Sequence, residues 1–269
     1  MINQESLSLG QTRSVIRELF EYGNQRAKVV GRENIFDFSI GNPSVPPPPQ
    51  VSMEIERLIR EMEPCLLHGY TSAAGDPEVR TRIASSLSRR FAIDCKGEEL
   101  YLTCGAAASL VCCLHALRES GDEVVLIAPY FPEYVVFIRA AGGVVKICPA
   151  DTDTFQINFQ KLESLLTQRT KEVIINSPNN PSAVIYDEKT LTYLGELLGE
   201  KSRALGQPIY LISDEPYREI VFGGKTAPWI PHFYPNTIVC YSWSKSHSLP
   251  GERIGYVYVP ASAEQSKEV

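Results

Sequence analysis

From residue 100 onward the chain alternates between two apolar patterns. Seven short runs read as buried strands: 100–104, 123–127, 144–148, 172–176, 209–213, 237–241 and 254–259. Helical spacing fills most of the gaps, notably 107–118, 134–141, 159–166 and 189–198. Strands alternating with helices predict an α/β fold: a mainly parallel, seven-stranded sheet with helices on both faces. The last two strands are joined without an evident full helix, so an antiparallel course is open for one of them.

The first hundred residues read differently. Residues 14–23 have the spacing of a short amphipathic helix ended by Gly23, and 35–40 alternate like a strand. Gly41-Asn42-Pro43 then marks a turn, where a glycine lets the backbone approach a ligand closely or simply turn. Four prolines, 46–49, fix an extended linker. A helix is expected over 51–62. A polar loop carrying Tyr70 then enters a helix at Pro77 that runs to Phe91.

Charge narrows the partners. Against 26 Lys and Arg stand 32 Asp and Glu, a net charge of -6, which argues against nucleic acid or a membrane surface. No apolar stretch reaches the ~18 residues of a membrane span. The first residues lack a basic head and an apolar run, so no signal peptide is expected and a cytoplasmic location follows. Seven cysteines form an odd set without metal-ligand spacing, read as reduced packing residues, and no metal site is expected.

In such a sheet, ligands sit beyond the carboxyl ends of the strands. After the first strand, Gly105-Ala106-Ala107 opens a helix whose free amides suit an anion. After the second comes Phe131, able to stack on a flat ring. The fourth is followed by Asn180, and the fifth by Asp214 and Tyr217. Past the sixth come Ser242 and Lys245, with Arg253 eight residues after the lysine. Taken singly, each has a plain reading: Asp214 a helix cap, Tyr217 a packing residue, Asn180 a turn residue. Together they match what pyridoxal 5'-phosphate requires. That cofactor needs an amine for its aldehyde, a carboxylate for its ring nitrogen, donors for its phenolic oxygen, a stacking face and an anion site.

These motifs, with Gly41-Asn42-Pro43, Tyr70 before Gly75, Asn179-Asn180-Pro181, Asp214-Glu215-Pro216-Tyr217 and Arg253-Ile254-Gly255, resemble the class I/II aminotransferases of pyridoxal-phosphate fold type I. The resemblance runs in family order from about residue 36 to 259. It implies that Lys245 forms a Schiff base with the cofactor and then shuttles protons. It gives Asp214 the task of keeping the pyridine nitrogen protonated, and gives Tyr217 and Asn180 the phenolic oxygen. By the same resemblance Phe131 stacks on the ring. Ser242, Arg253 and the amides of Ala106 and Ala107 hold the phosphate. Tyr70 reaches the phosphate of a neighbouring subunit, which implies a homodimer. Gly41, with Asn180, meets the substrate.

Residues 1–48 are then expected to be an N-terminal arm and part of a small domain, and 49–269 the cofactor-binding large domain. The sequence stops at Val269, short of the region where relatives carry an arginine for the substrate carboxylate, so most of the small domain is expected to be missing. The expected activity is transfer of an amino group between an amino acid and a 2-oxo acid by a ping-pong mechanism, aspartate being the commonest donor in this subgroup. Competing expectations are a carbon–sulfur β-lyase, a decarboxylase or a cyclopropane-forming synthase on the same scaffold, a ligand-sensing domain, or an inactive fragment.

Overall fold

The computed structural model describes residues 2, 4–11 and 15–269, the side chains of residues 5, 6 and 9 excepted. Ser14, which opens the first expected helix, lies outside the described residues. The chain divides into two compact units, residues 1–46 and 47–269.

The N-terminal unit contains helices α1 (Gln4–Gln11) and α2 (Val15–Val30). The helix expected to end at Gly23 instead runs on to Val30 and stops before Gly31. An interior glycine costs a helix only about 1 kcal/mol, too little to end one whose later turns are otherwise compatible. The strand expected over 35–40 is also absent. Asp37 Oδ1 accepts hydrogen bonds from the Ser39 amide at 2.9 Å and hydroxyl at 2.6 Å, folding the backbone into a local bend. Phe36 and Phe38 are left exposed. Alternation makes a strand only where a neighbouring strand can accept its ladder, and a local Asx bond competes with that pairing.

The second unit begins with α3 (Pro49–Glu61), α4 (Pro64–Leu67) and α5 (Pro77–Phe91). Proline opens each at its first turn, where its missing N–H costs nothing. The Asp76 side chain caps α5 by accepting from the Val79 amide at 3.0 Å. Then strand and helix alternate: β1 (Leu100–Thr103), α6 (Ala106–Ala116), β2 (Glu123–Ile127), α7 (Glu133–Ala140), β3 (Val144–Cys148), α8 (Phe159–Leu165), β4 (Thr170–Asn176), α9 (Glu188–Leu205), β5 (Tyr210–Asp214), β6 (Thr237–Ser242), α10 (Trp243–Ser246) and β7 (Gly255–Tyr258). Asn158 and Asp187 cap α8 and α9 through the amides of Lys161 and Thr190.

The seven strands form one sheet in the order β1-β7-β6-β5-β4-β2-β3. All pairs are parallel except those of β7, which runs against both β1 and β6. Alternate residues of the central strands feed two cores, as a sheet buried on both faces requires. Val125, Val173, Ile175 and Leu211 pack with Leu162, Leu194 and Leu198 of α8 and α9. Val124, Leu126, Ile174 and Ile212 pack with Leu110, Leu114 and Ile138 of α6 and α7. A third cluster on the β1 side joins Leu100, Tyr241 and Tyr256 to Leu87 of α5 and to Trp229.

The direction of β7 determines what gathers at one rim. Thr103, the last residue of β1, pairs with Gly255, the first of β7, and Ser242, the last of β6, pairs with the same glycine. The segment entering β7 therefore arrives where β1, β4, β5 and β6 end.

Candidate active site

Asp214 is the last residue of β5 and is buried. One of its oxygens, Oδ2, accepts a hydrogen bond from the Tyr134 hydroxyl at 2.5 Å. The other, Oδ1, is buried with no hydrogen-bond partner among the described residues. Burial pushes this carboxyl up to about 7, with Tyr134 opposing the rise and the neighbouring Glu215 adding to it. A carboxylate oxygen left without a donor is costly to bury. A cationic ring N–H presented to Oδ1 would remove that cost, so the residue fits the cofactor proposed for it.

Around Asp214 the ends of β4 and β5 are tied together. Asn176 donates through Nδ2 to the Asp214 carbonyl at 2.8 Å and accepts through Oδ1 from the Asn180 amide at 2.6 Å. Asn180 in turn donates through Nδ2 to the Tyr217 hydroxyl at 3.3 Å. The two groups expected to share one phenolic oxygen are thus hydrogen-bonded to each other. Burial raises the Tyr217 phenol above its usual range, with the Asp214 charge adding to the rise and Asn180 opposing it. Phe131 lies edge-on to Tyr134, with ring centroids 5.6 Å apart. Nothing in the local sequence marks Tyr134 or Asn176 as site residues. Tyr134 lies in the first turn of α7, three residues after Phe131, which precedes that helix.

Lys245 sits within the four-residue helix α10, which begins as soon as β6 ends. It is half-buried, and burial holds its amine below the ordinary lysine value. A larger neutral fraction is what a nucleophilic or proton-accepting lysine needs.

The anion cradle is assembled at the β1–β7–β6 edge. Gly105 caps α6 at φ 94°, and a Cβ added there would lie 2.8 Å from Arg253 Nη2. Arg253 donates to the Cys104 carbonyl at 3.2 Å and the Pro250 carbonyl at 3.0 Å. Its own backbone is left-handed, φ 53°, a strain of about 1 kcal/mol that these contacts hold in place. A Cβ on Gly255 would lie 2.8 Å from Gly105 Cα, so the two glycines let three chain segments meet. The first amides of α6, at Ala106 and Ala107, have no helical acceptor. With the Arg253 guanidinium and the buried Ser242 beside them, they suit a phosphate. Tyr70 is fully exposed, and Gly41 belongs to the N-terminal unit.

Comparison with known proteins gives a concordant result. A probable aspartate/prephenate aminotransferase of Aquifex aeolicus is 33% identical over 240 residues, covering 87% of this chain and 58% of that protein. An aspartate aminotransferase of Geobacillus stearothermophilus is 34% identical over 196 residues, covering 71% and 48%. The chain therefore spans about half the length of these relatives. Among solved structures, an aminotransferase from Eubacterium rectale superposes with a TM-score of 0.96 at 52% identity, over 100% of this chain and 68% of that one. The aspartate aminotransferase of Thermotoga maritima gives 0.85 at 29% identity, over 96% and 66%. The profile described as aminotransferase class I and II matches residues 33–267, and the chain belongs to that family.

Proposed function

We propose that this protein is an aminotransferase that moves an amino group between an amino acid and a 2-oxo acid by a ping-pong mechanism. Pyridoxal 5'-phosphate is the cofactor of this family. When bound, it supplies an aldehyde that condenses with amines and a ring that accepts electron density from the substrate's α-carbon. The observation that carries the reading is the unpartnered Oδ1 of Asp214, buried at the rim where ligands of such sheets bind.

The protein's own residues divide the work. Asp214 holds the proton of the ring nitrogen through Oδ1 while Tyr134 fixes its other oxygen. Tyr217 and Asn180 donate to the phenolic oxygen, and Phe131 covers one ring face. Ser242, Arg253 and the amides of Ala106 and Ala107 hold the phosphate. Lys245 Nζ would take the proton from the substrate's α-carbon and return it to the carbon derived from the aldehyde, two atoms further along, its lowered basicity suiting both transfers. In the second half-reaction the same residues run in reverse on an incoming 2-oxo acid.

Several finer points belong to this reading. Aspartate is the proposed donor, supported by the names of the relatives. Residues 1–48 serve as an arm and part of a small domain, and Gly41 is the proposed backbone contact for the substrate carboxylate. The protein works as a homodimer. Met53, Ile59 and Leu66 on α3 and α4 are exposed apolar residues near the fully exposed Tyr70 in sequence. A second copy docked on this region would take Tyr70 to the partner's phosphate. A cytoplasmic location fits seven cysteines free of disulfides.

The test is spectroscopic and chemical. Protein loaded with pyridoxal phosphate should show a pH-dependent visible band that Lys245→Ala abolishes. It should aminate a 2-oxo acid only when an amino donor is present, aspartate most readily in a donor panel. A Lys245→Ala protein with the band intact would sink the assignment.

A further inference from the structure

Arg218 lies four residues after Asp214 and next to Tyr217, and no motif singles it out. It is nevertheless buried, only 4% exposed, which an arginine tolerates only with compensating partners. Those partners come from the end or the start of each of three strands. From just past the end of β5, Glu215 Oε2 lies 3.1 Å from Nη1, a buried ion pair without a hydrogen bond between the two atoms. From β6, the Tyr241 ring lies 4.4 Å from the guanidinium carbon. From β7, the Tyr256 hydroxyl accepts from Nη2 at 3.0 Å. Trp229 at 5.1 Å and Phe91 at 5.2 Å complete an aromatic cage. Glu219 Oε1 faces Nε at 3.5 Å. Glu219 is itself held by Arg90 at 2.7 Å and by the Tyr241 hydroxyl at 3.0 Å.

Three of these partners are near neighbours in sequence of residues given a role above. Glu215 follows Asp214. Tyr241 precedes Ser242 and stands four residues before Lys245. Tyr256 stands three residues after Arg253. Tyr241 and Tyr256 also stack on each other, centroids 5.0 Å apart. A planar guanidinium can stack, pair and donate at once, which a lysine ammonium cannot.

We propose that Arg218 is a positioning residue: by gripping Glu215, Tyr241 and Tyr256 together, it sets the spacing of Asp214 and Tyr217, of Ser242 and Lys245, and of Arg253 around the cofactor. It touches neither cofactor nor substrate. The proposal rests on the cofactor site described above. Burial opposes the charge on Arg218, but Tyr256, Glu215 and Glu219 together raise its pKa above the ordinary arginine value, so the grip is that of a permanent cation.

The test compares two variants with the wild type, all loaded with pyridoxal phosphate. Arg218→Lys keeps the charge and loses the planar stack. The double variant Glu215→Gln/Arg218→Met removes the buried pair together, so that no lone carboxylate is left to unfold the chain. In each, cofactor affinity should fall at least about 10-fold and kcat about 10- to 100-fold, the scale expected for small misplacement, while KM for the amino donor holds. The visible band should also shift its pH midpoint. A variant that merely loosened the fold would lower the melting temperature and leave the band unmoved. Either variant, folded and with the wild-type cofactor Kd, kcat and band, overturns the proposal. A wild type that binds no pyridoxal phosphate overturns the functional reading and this proposal with it.

Discussion

Two neighbouring strands of the sheet bury carboxylates with unpartnered oxygens at different places. Glu172, near the start of β4, is fully enclosed and faces Arg118, whose Nη1 lies 3.7 Å from Glu172 Oε2, and neither of its oxygens has a hydrogen-bond partner among the described residues. Asp214, at the end of β5, has a phenol on one oxygen and no hydrogen-bond partner on the other among the described residues. Burial raises Glu172 to about 8, against the pull of Arg118, and Asp214 to about 7. By proton affinity alone Glu172 would be the better candidate for catalysis. Position reverses that ranking, because Glu172 is sealed between strand and helix while Asp214 stands at the rim where β1, β4, β5 and β6 end. A perturbed carboxyl points to a site only where the fold leaves room for a ligand.

Substitution should separate the two most strongly. Asp214→Asn is expected to cut kcat/KM by on the order of 10²- to 10³-fold, the loss typical of one electrostatic stabiliser. Glu172→Gln should leave turnover unchanged and alter only the unfolding midpoint. Steady-state assays on the folded variants decide this, and a Glu172→Gln protein with comparably poor turnover would break the contrast.

The next effect is in stability. Unfolded carboxyls titrate near pH 4, so through pH 4 to 8 the folded, cofactor-free chain holds protons that the unfolded chain has released. Its stability should therefore fall as pH rises through that window, by up to about 4 kcal/mol for each group, and then level off. Adding pyridoxal phosphate places a cation opposite Asp214 and should erase that residue's share, leaving the share of Glu172. Urea unfolding at pH 5 and pH 8, with and without cofactor, measures the difference. A slope indifferent to cofactor would contradict the role given to Asp214.

The smallest effect concerns the outer hydrogen bonds. Tyr217→Phe removes one of the two donors proposed for the phenolic oxygen and leaves Asn180 in place. The pH midpoint of the visible band should rise by about one unit, worth roughly 1.4 kcal/mol. A spectrophotometric titration checks it.

The sheet was legible in the sequence because each strand is a short, mainly apolar run, and helical spacing fills most of the gaps between them. Asp214, Asn180, Lys245 and Arg253 stand out because strand ends in such a fold face ligands. Residues 35–40 show the limit of that logic: the alternation is present, but a local Asp37–Ser39 bend replaces the ladder. Gly23 shows another, since one glycine does not outweigh the turns that follow it. Tyr134 and Arg218 escaped notice for a different reason. Their partners lie 80 residues away at Asp214 and 38 residues away at Tyr256. No local pattern encodes contacts of that range.

The reversed course of β7 has a consequence for how the protein matures. The anion cradle draws on Gly105, Ser242 and Arg253, residues that become neighbours only after a span of about 150 residues has been closed and the sheet edge zipped. Closure over such distances is slow relative to helix formation. Phosphate-ester affinity should accordingly appear late during renaturation, after most helical signal has returned, and so serve as a clock for the final docking of this edge.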